Sequence, residues 1–373
     1  MSIMIKKMIF FMFCLMAVAM LSGCTGRQNQ SSKTVGIVMP SKALERWSRD
    51  GNYLRSIFEE EGYNVELRFS DDILKQITDI QVLIADDVDI LIVVPVDGGT
   101  LSRTLEDAEI KNIPVISYDM LVLNTDAIDC YVSFDNYRVG ALQGQYIVDA
   151  LAPDETEDTF NIELVTGDPA DNNARFFFGG ARDVLQPYID SGKFIVPSRK
   201  TTFDQTSTPG WSMDLAFKNM QNTLASYYSD GKHLDAVMCS NDSLGLGVLN
   251  AIKSDYLGRN IPVVTGQDGD VAALRSIIDG NLSMTVYKNV RNEADVAVSV
   301  ATAILEGRNL DESLLSEFSA ECVFDTESYD NGVKKVPSFL LVPEVIDAEN
   351  IETLVDTGSF EWDSKGKYII PVQ

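Results

Sequence analysis

Thr34-Val35-Gly36-Ile37-Val38-Met39, then Ser41-Lys42-Ala43-Leu44-Glu45-Arg46-Trp47-Ser48-Arg49-Asp50-Gly51, then Tyr53-Leu54-Arg55-Ser56-Ile57-Phe58-Glu59-Glu60-Glu61-Gly62 decide how the rest of the chain is read. The first run is short, apolar and β-branched, as a buried parallel strand is. The last run has helical spacing of its apolar residues and closes on a glycine, as an amphipathic helix does. The middle stretch then reads as the loop leaving the carboxyl end of a strand, where ligands bind in open α/β sheets. It sets a guanidinium beside an indole. Arg46 brings a planar fork of donors and Trp47 a flat apolar face, a pair that suits a small polar molecule with a C–H face, such as a sugar. The same residues also suit an arginine that pairs with a carboxylate and a tryptophan that packs on the helix. On this stretch alone both readings stand.

The alternation continues outward. Asn64–Phe69 reads as a strand, Ile73, Ile77, Ile80 and Ile84 mark a helix, Asp89–Pro95 is a fully apolar strand, Leu101–Ile110 a helix and Pro114–Tyr118 a strand. After Ser133 the pattern resumes, with helices over Tyr137–Leu151, Ala174–Gly192 (bent or interrupted at Pro187), Trp211–Ser229, Asp242–Asp255, Val271–Asp279 and Val290–Gly307. Strands fall at Phe160–Val165, Asp235–Cys239, Val263–Thr265 and Met284–Tyr287. Strands alternating with helices predict parallel sheets covered on both faces. There is also an internal echo. Asp89-Ile90-Leu91-Ile92-Val93 is followed one helix later by Asn112-Ile113-Pro114-Val115-Ile116-Ser117-Tyr118-Asp119, and Asp235-Ala236-Val237-Met238-Cys239 by Asn260-Ile261-Pro262-Val263-Val264-Thr265-Gly266-Gln267-Asp268. The repeat predicts two similar α/β lobes facing each other across a cleft.

The chain has 373 residues and a net charge of −26, enough length for two domains and the wrong sign for nucleic acid or an anionic membrane surface. Lys6 and Lys7, the apolar run Met8–Met20 and then Leu21-Ser22-Gly23-Cys24 resemble a bacterial lipoprotein signal, with Cys24 as the lipidated first residue and Thr25–Lys33 as a tether. The remaining cysteines, Cys130, Cys239 and Cys322, are odd in number and do not form a disulfide framework or a C-x-x-C pair, so no metal site is expected.

Facing lobes would bring their strand ends together: Arg46, Trp47, Asp97 and Asp119 from the first, and Asn172, Asn173, Asn241, Asp242 and Asp268 from the second, with Lys288 after Thr285-Val286-Tyr287. Carboxylates and amides accept and donate in planar pairs that match adjacent sugar hydroxyls. Each Asp or Asn alone is as well explained as a helix cap. Trp211 is either a second stacking face or a core anchor. Arg175 stands next to the Asn pair and is a further candidate for the cleft, while Phe176-Phe177-Phe178 reads mostly as packing. Catalysis is poorly supported: His233 is the only histidine, which leaves no Ser-His-Asp or Cys-His pair. Val96-Asp97-Gly98-Gly99-Thr100 lacks the phosphate-loop lysine and reads as a turn.

Leu44-Glu45-Arg46-Trp47, Ser133-Phe134-Asp135-Asn136, Asp171-Asn172-Asn173-Ala174, Pro187-Tyr188-Ile189-Asp190-Ser191-Gly192-Lys193, Ser240-Asn241-Asp242, Gly266-Gln267-Asp268, Thr285-Val286-Tyr287-Lys288 and Asn331-Gly332-Val333-Lys334-Lys335-Val336-Pro337-Ser338-Phe339-Leu340-Leu341 together resemble bacterial xylose-binding and ChvE-type multiple-sugar-binding proteins. The resemblance implies a type I periplasmic-binding-protein fold, two doubly wound parallel-sheet lobes joined by a hinge. It implies lobes of 34–133 plus 289–319 and 134–288 plus 320–373. It implies a monomer that needs no cofactor, binds an aldopyranose and delivers it to an ABC permease from the outer face of the cell membrane. By the same resemblance Arg46, Asp119, Asn173, Asn241, Asp268 and Lys288 hydrogen-bond the sugar, with Trp47 and Trp211 as its aromatic faces. Where the family has Tyr-Asp-Arg this chain has Tyr118-Asp119-Met120, so a donor is missing unless Arg175 or Lys42 restores it. Two other functions remain open: a sensor presenting its sugar to a chemoreceptor or sensor kinase, and a sugar-processing enzyme, which the lack of a defined acid/base pair disfavours.

Overall fold

The structure, a computed structural model, describes residues 32–42, 45–258 and 260–372. The signal, Cys24, most of the tether and Ala43-Leu44 lie outside these residues. The chain begins with β1 (Thr34–Met39), α1 (Glu45–Glu60), β2 (Asn64–Phe69), α2 (Ile73–Ala85), β3 (Ile90–Val93), α3 (Ser102–Ile110), β4 (Val115–Tyr118) and β5 (Cys130–Phe134). It continues with α4 (Asn136–Leu151), β6 (Phe160–Val165), α5 (Asn172–Asp190), β7 (Phe194–Ile195), α6 (Met213–Tyr227), β8 (Ala236–Cys239), α7 (Asp242–Asp255), β9 (Val263–Val264), α8 (Val271–Ile278) and β10 (Met284–Tyr287). Then follow α9 (Val290–Leu305), β11 (Cys322–Asp325), β12 (Ser338–Leu341), β13 (Glu344–Asp347) and the terminal pair β14 (Phe360–Trp362) and β15 (Ile369–Pro371).

Two sheets result. The first has the order β11-β12-β5-β4-β3-β1-β2, and the second β7-β6-β8-β9. Both are parallel except where β11 runs against β12. A bridge from Gln267 to Val286 brings β10 beside the second sheet, and β13 pairs antiparallel with β10. The period of two in β1 explains how the first sheet is covered. Val35, Ile37 and Met39 pack with Leu54 and Phe58 of α1 and Ala297 and Ala301 of α9. Val38 faces the other way, among Ile80, Leu83 and Leu105 of α2 and α3. The second lobe has its own core, built on Ile162, Leu164, Val237 and Met238.

Three sequence expectations change. First, Arg46 and Trp47 sit in the opening turn of α1, not in a loop. A side chain at Gly51 would press on Phe69 and Met39 at 3.1 and 3.3 Å, so its bareness lets the helix lie on the sheet. Arg46 Nε also binds Asp50 Oδ2 one turn on, at 3.1 Å. Second, residues 320–341 do not belong to the second lobe. β12 lies parallel to β5, with Phe339 opposite Val132, and β11 closes the edge. Phe339 and Leu341 fill the first-lobe core that β5 would otherwise leave open. The chain therefore crosses between lobes after β5, after β10 and after β12. Third, α5 continues through Pro187 to Asp190, and Trp211 ends a short 3-10 turn (Pro209–Trp211) ahead of α6.

Candidate functional site

Arg46, Trp47, Asp119, Asn173, Trp211, Asn241, Asp268 and Lys288 all line one cavity between the lobes, with an empty volume of about 450 Å³. All but Trp211, which ends a 3-10 turn, arrive from the carboxyl end of a strand or the start of the following helix. Arg46 and Trp47 open α1, Asp119 follows β4, Asn173 lies in the first turn of α5, Asn241 caps α7, and Lys288 follows β10.

Arg46 is the hub. Its Nε reaches Asp50 at 3.1 Å, Nη1 reaches Asp268 at 3.1 Å, and Nη2 reaches both Asp119 at 2.5 Å and Glu293 at 2.8 Å. Four of its five donors are thus committed. Asp268 belongs to the second lobe and the other three carboxylates to the first, so the guanidinium ties the lobes together. Lys288, fully buried, adds a hydrogen bond to Asp119 at 3.2 Å and an ion pair with Asp268 at 3.6 Å. Arg49 approaches Asp270 at 3.6 Å. The reading of Arg46 as a partner for carboxylates is therefore part of the answer: one N–H on Nη1 is left over.

The backbone is bent to serve the cavity. Asp119, Trp211 and Asp268 have φ of +55, +52 and +102°, a region that costs a non-glycine residue about 1–3 kcal/mol. At Asp119 the bend is held by three donors to its carbonyl: Tyr131 Oη at 2.5 Å, Asn173 Nδ2 at 2.6 Å and Ser133 Oγ at 2.9 Å. Asn173 Oδ1 in turn accepts from Asn136 Nδ2 at 3.0 Å. Asn241 Oδ1 accepts from Leu244 N at 3.0 Å. Both amides are thus also caps or props. Trp47 and Trp211 are 4% and 7% exposed, so the core and the cavity share them. Trp211 lies so close to Gly167 that a Cβ there would fall 2.0 Å from the ring, which makes glycine obligatory.

The carboxylates outnumber the cations, and their acidities divide accordingly. Burial opposes the ionised form of Asp268, yet Lys288 and Arg46 outweigh it and hold its carboxyl below the usual range. Burial raises Glu293 well above that range, with Asp119 adding to the effect against the pull of Arg46. Burial likewise raises Asp50 despite Arg46 and the Tyr118 hydroxyl. Asp171 is pushed up to about 7 by burial and by Asp119.

Some expected residues lie elsewhere. Asp97 closes its own turn by accepting from Gly99 N at 2.8 Å. Asp242 is buried beneath the cavity and accepts from Asp270 N at 2.8 Å. Arg175 stacks on Phe203 and faces Asp204, and Lys42 sits over Phe69, so neither lines the cavity beside Met120. Conversely, Phe177, read as packing, lines the cavity, as do Asp171 and Gln267, of which only the neighbours were read as site residues. Glu293 and Asp50 were missed altogether. The available signal for Glu293 was a carboxylate on the buried face of α9, in line with Val290, Ala294 and Ala297. Among the described residues no group of three His, Cys, Asp or Glu is arranged to hold a metal ion.

Two parallel-sheet lobes crossed three times by the chain, with a polar cavity between their strand ends, define a two-lobed solute-binding protein. Residues 35–309 match the family described as the periplasmic binding protein domain, and the chain belongs to that family, whose members bind solutes rather than transform them. It is 40% identical over 353 residues to the multiple sugar-binding periplasmic protein SbpA of Azospirillum brasilense, covering 92% of this chain and 95% of that one. It is 40% identical over 335 residues to the multiple sugar-binding periplasmic receptor ChvE of Rhizobium radiobacter, covering 88% and 91%. An ABC transporter solute-binding protein from Clostridium phytofermentans, solved with β-D-glucose bound, superposes with a TM-score of 0.83 at 42% identity, covering 90% of this chain and all of that one.

Proposed function

We propose that this protein binds an aldopyranose of the xylose, glucose or galactose type between its lobes and delivers it to an ABC sugar importer. The observation that carries the reading is the cavity itself: indoles from both lobes beside a rim of carboxylates, amides and one lysine. In this reading Trp47 and Trp211 meet the C–H faces of the ring. Asp119, Asp268, Asn173, Asn241, Lys288 and the remaining Arg46 N–H bond its hydroxyls. Arg46 and Lys288 do so while aligning the two aspartates. Calorimetric titration with a panel of aldoses tests it. Saturable binding of at least one is expected, and no saturable heat from any aldose at millimolar concentration would sink it.

Met120 packs on the first-lobe core and lines the cavity, with no cation from Arg175 or Lys42 beside it. An added arginine would supply a charge-assisted bond contributing about 1.5–3 kcal/mol. Met120→Arg is therefore expected to tighten glucose or xylose binding about tenfold or more. Weaker binding of every aldose tested would refute the missing-donor account.

The resemblance of residues 6–24 to a lipoprotein signal supports a tether through lipid on Cys24 at the outer face of the cell membrane. Cys24→Ser should release it to the soluble fraction. A variant that stays with the membranes would show that something other than lipid on Cys24 holds it.

A further inference from the structure

A second cavity, with an empty volume of about 430 Å³, lies between α1, the β10–α9 crossover and the terminal β14–β15 segment. It shares Lys288 with the first cavity, and its Arg49 pairs with Asp270 of that cavity. Its charge is opposite to that of the molecule. In a chain of net charge −26 its walls carry, among the described residues, Arg49, Lys288 and Arg291 and no carboxylate. Lys288 is engaged by Asp119 and Asp268. Arg49 is only partly engaged: its Nη2 faces Asp270 Oδ1 as an ion pair at 3.6 Å, while its Nε is shut off from solvent without a hydrogen-bond partner. Buried donors left in that state cost about 1–3 kcal/mol. Arg291 lies over the Tyr53 ring, 5.2 Å from its centre, which holds its guanidinium at the wall while leaving its N–H groups to a ligand. Val290 and Arg291 open α9, so the positive end of that helix adds to the field. Ser359 lines the cavity from the second-lobe side, its side chain hydrogen-bonded to Tyr287.

Two guanidinium forks, a lysine and a helix start around one enclosed space match a tetrahedral oxyanion, whose oxygens take several donors at once. An anionic membrane headgroup carries the same chemistry, but the acidic molecule around the cavity disfavours approach to such a surface. We propose that this cavity is a second ligand site, which takes a small free oxyanion of the phosphate type between Arg49 and Arg291. The proposal stands whether or not the cleft binds a sugar.

Calorimetric titration of the full chain with inorganic phosphate, at ionic strength held constant with chloride and with no sugar present, should show saturable binding at one site. Arg291→Gln should weaken that binding about tenfold or more. Arg49→Gln should weaken it as well, and far-ultraviolet circular dichroism would confirm that both variants are folded. No saturable heat in the wild type, or equal phosphate affinity in the wild type and a folded Arg291→Gln variant, would overturn the site. Cosedimentation with vesicles rich in phosphatidylglycerol, in the absence of free-phosphate binding, would assign the cations to a lipid headgroup and overturn it too.

Discussion

Replacing Arg46 by methionine should lower the unfolding free energy by about 3–5 kcal/mol and remove detectable aldose binding. Methionine keeps much of the side-chain bulk, so the loss is electrostatic. The guanidinium now touches Asp50, Asp119, Asp268 and Glu293, and all five residues are at least nine-tenths buried. Without it Lys288 is left to serve Asp119 and Asp268, while Glu293 has no cation of its own. Carboxylates stranded in this way must take up protons or draw in water, and either result blunts the rim that the sugar needs. Burial, Asp119 and Asp50 already push Glu293 toward its neutral form, and a neutral acid and an amide offer Arg46 the same acceptor. Glu293→Gln should therefore change stability by about 1 kcal/mol or less. Urea unfolding of the two variants checks the pair, and glucose titration checks binding. Arg46→Met with an unshifted urea midpoint would show that the hub does not hold the lobes together. Loss in Glu293→Gln as large as in Arg46→Met would show that Glu293 is ionised.

The alternation of strand and helix was legible because it is local: β2, β6 and β10 follow from runs of four to six residues and their bounding turns. The strand-end positions of Asp119, Asn241 and Asp268 were legible for the same reason. What was not legible is set by distant partners. β12 reaches β5 across some 200 residues, and nothing in Ser338-Phe339-Leu340-Leu341 says which edge it will cover. Arg46 could be read as a sugar donor or as a partner for carboxylates because the choice depends on how many carboxylates gather round it. Those come from four separate segments, ending at Asp50, Asp119, Asp268 and Glu293. Gly51, in the stretch read as a loop, lies inside α1, where its bareness serves packing on Phe69.

Asp171→Asn should make the sugar-free protein more stable at about pH 8, by up to roughly 4 kcal/mol, and should flatten its pH dependence between about pH 4 and 7. The side chain is buried, lines the cleft and caps α5 by accepting from Asn173 N at 2.9 Å. Asparagine caps helices as well as aspartate does, so the local fold survives. What changes is titration. Burial first and Asp119 second raise the Asp171 carboxyl from 3.8 to about 7 in the folded protein. Below about pH 4 the carboxyl is protonated both folded and unfolded, and its ionisation has no effect on stability. As pH rises from about 4 to 7 the unfolded chain releases the proton while the folded chain keeps it, and each unit favours unfolding by about 1.4 kcal/mol. Above about 7 the full penalty is present. Asp50, Asp242 and Glu293, also raised by burial, slope the same way, but they do so in both proteins and cancel in the comparison. Asp268, lowered by Lys288 and Arg46 against burial, loses its stabilising effect only as pH falls below about 4, outside the window. A carboxylate this costly at the wall of a binding cavity makes sense as an acceptor for a ligand hydroxyl. The stabilised variant is thus expected to bind its sugar about tenfold or more weakly, as one charged hydrogen bond is replaced by a neutral one. Thermal midpoints of wild type and variant measured from about pH 5 to 8 should converge toward the acid end. Parallel curves across that range would mean that Asp171 does not carry the titration, and tighter sugar binding in the variant would mean that its charge repels the ligand.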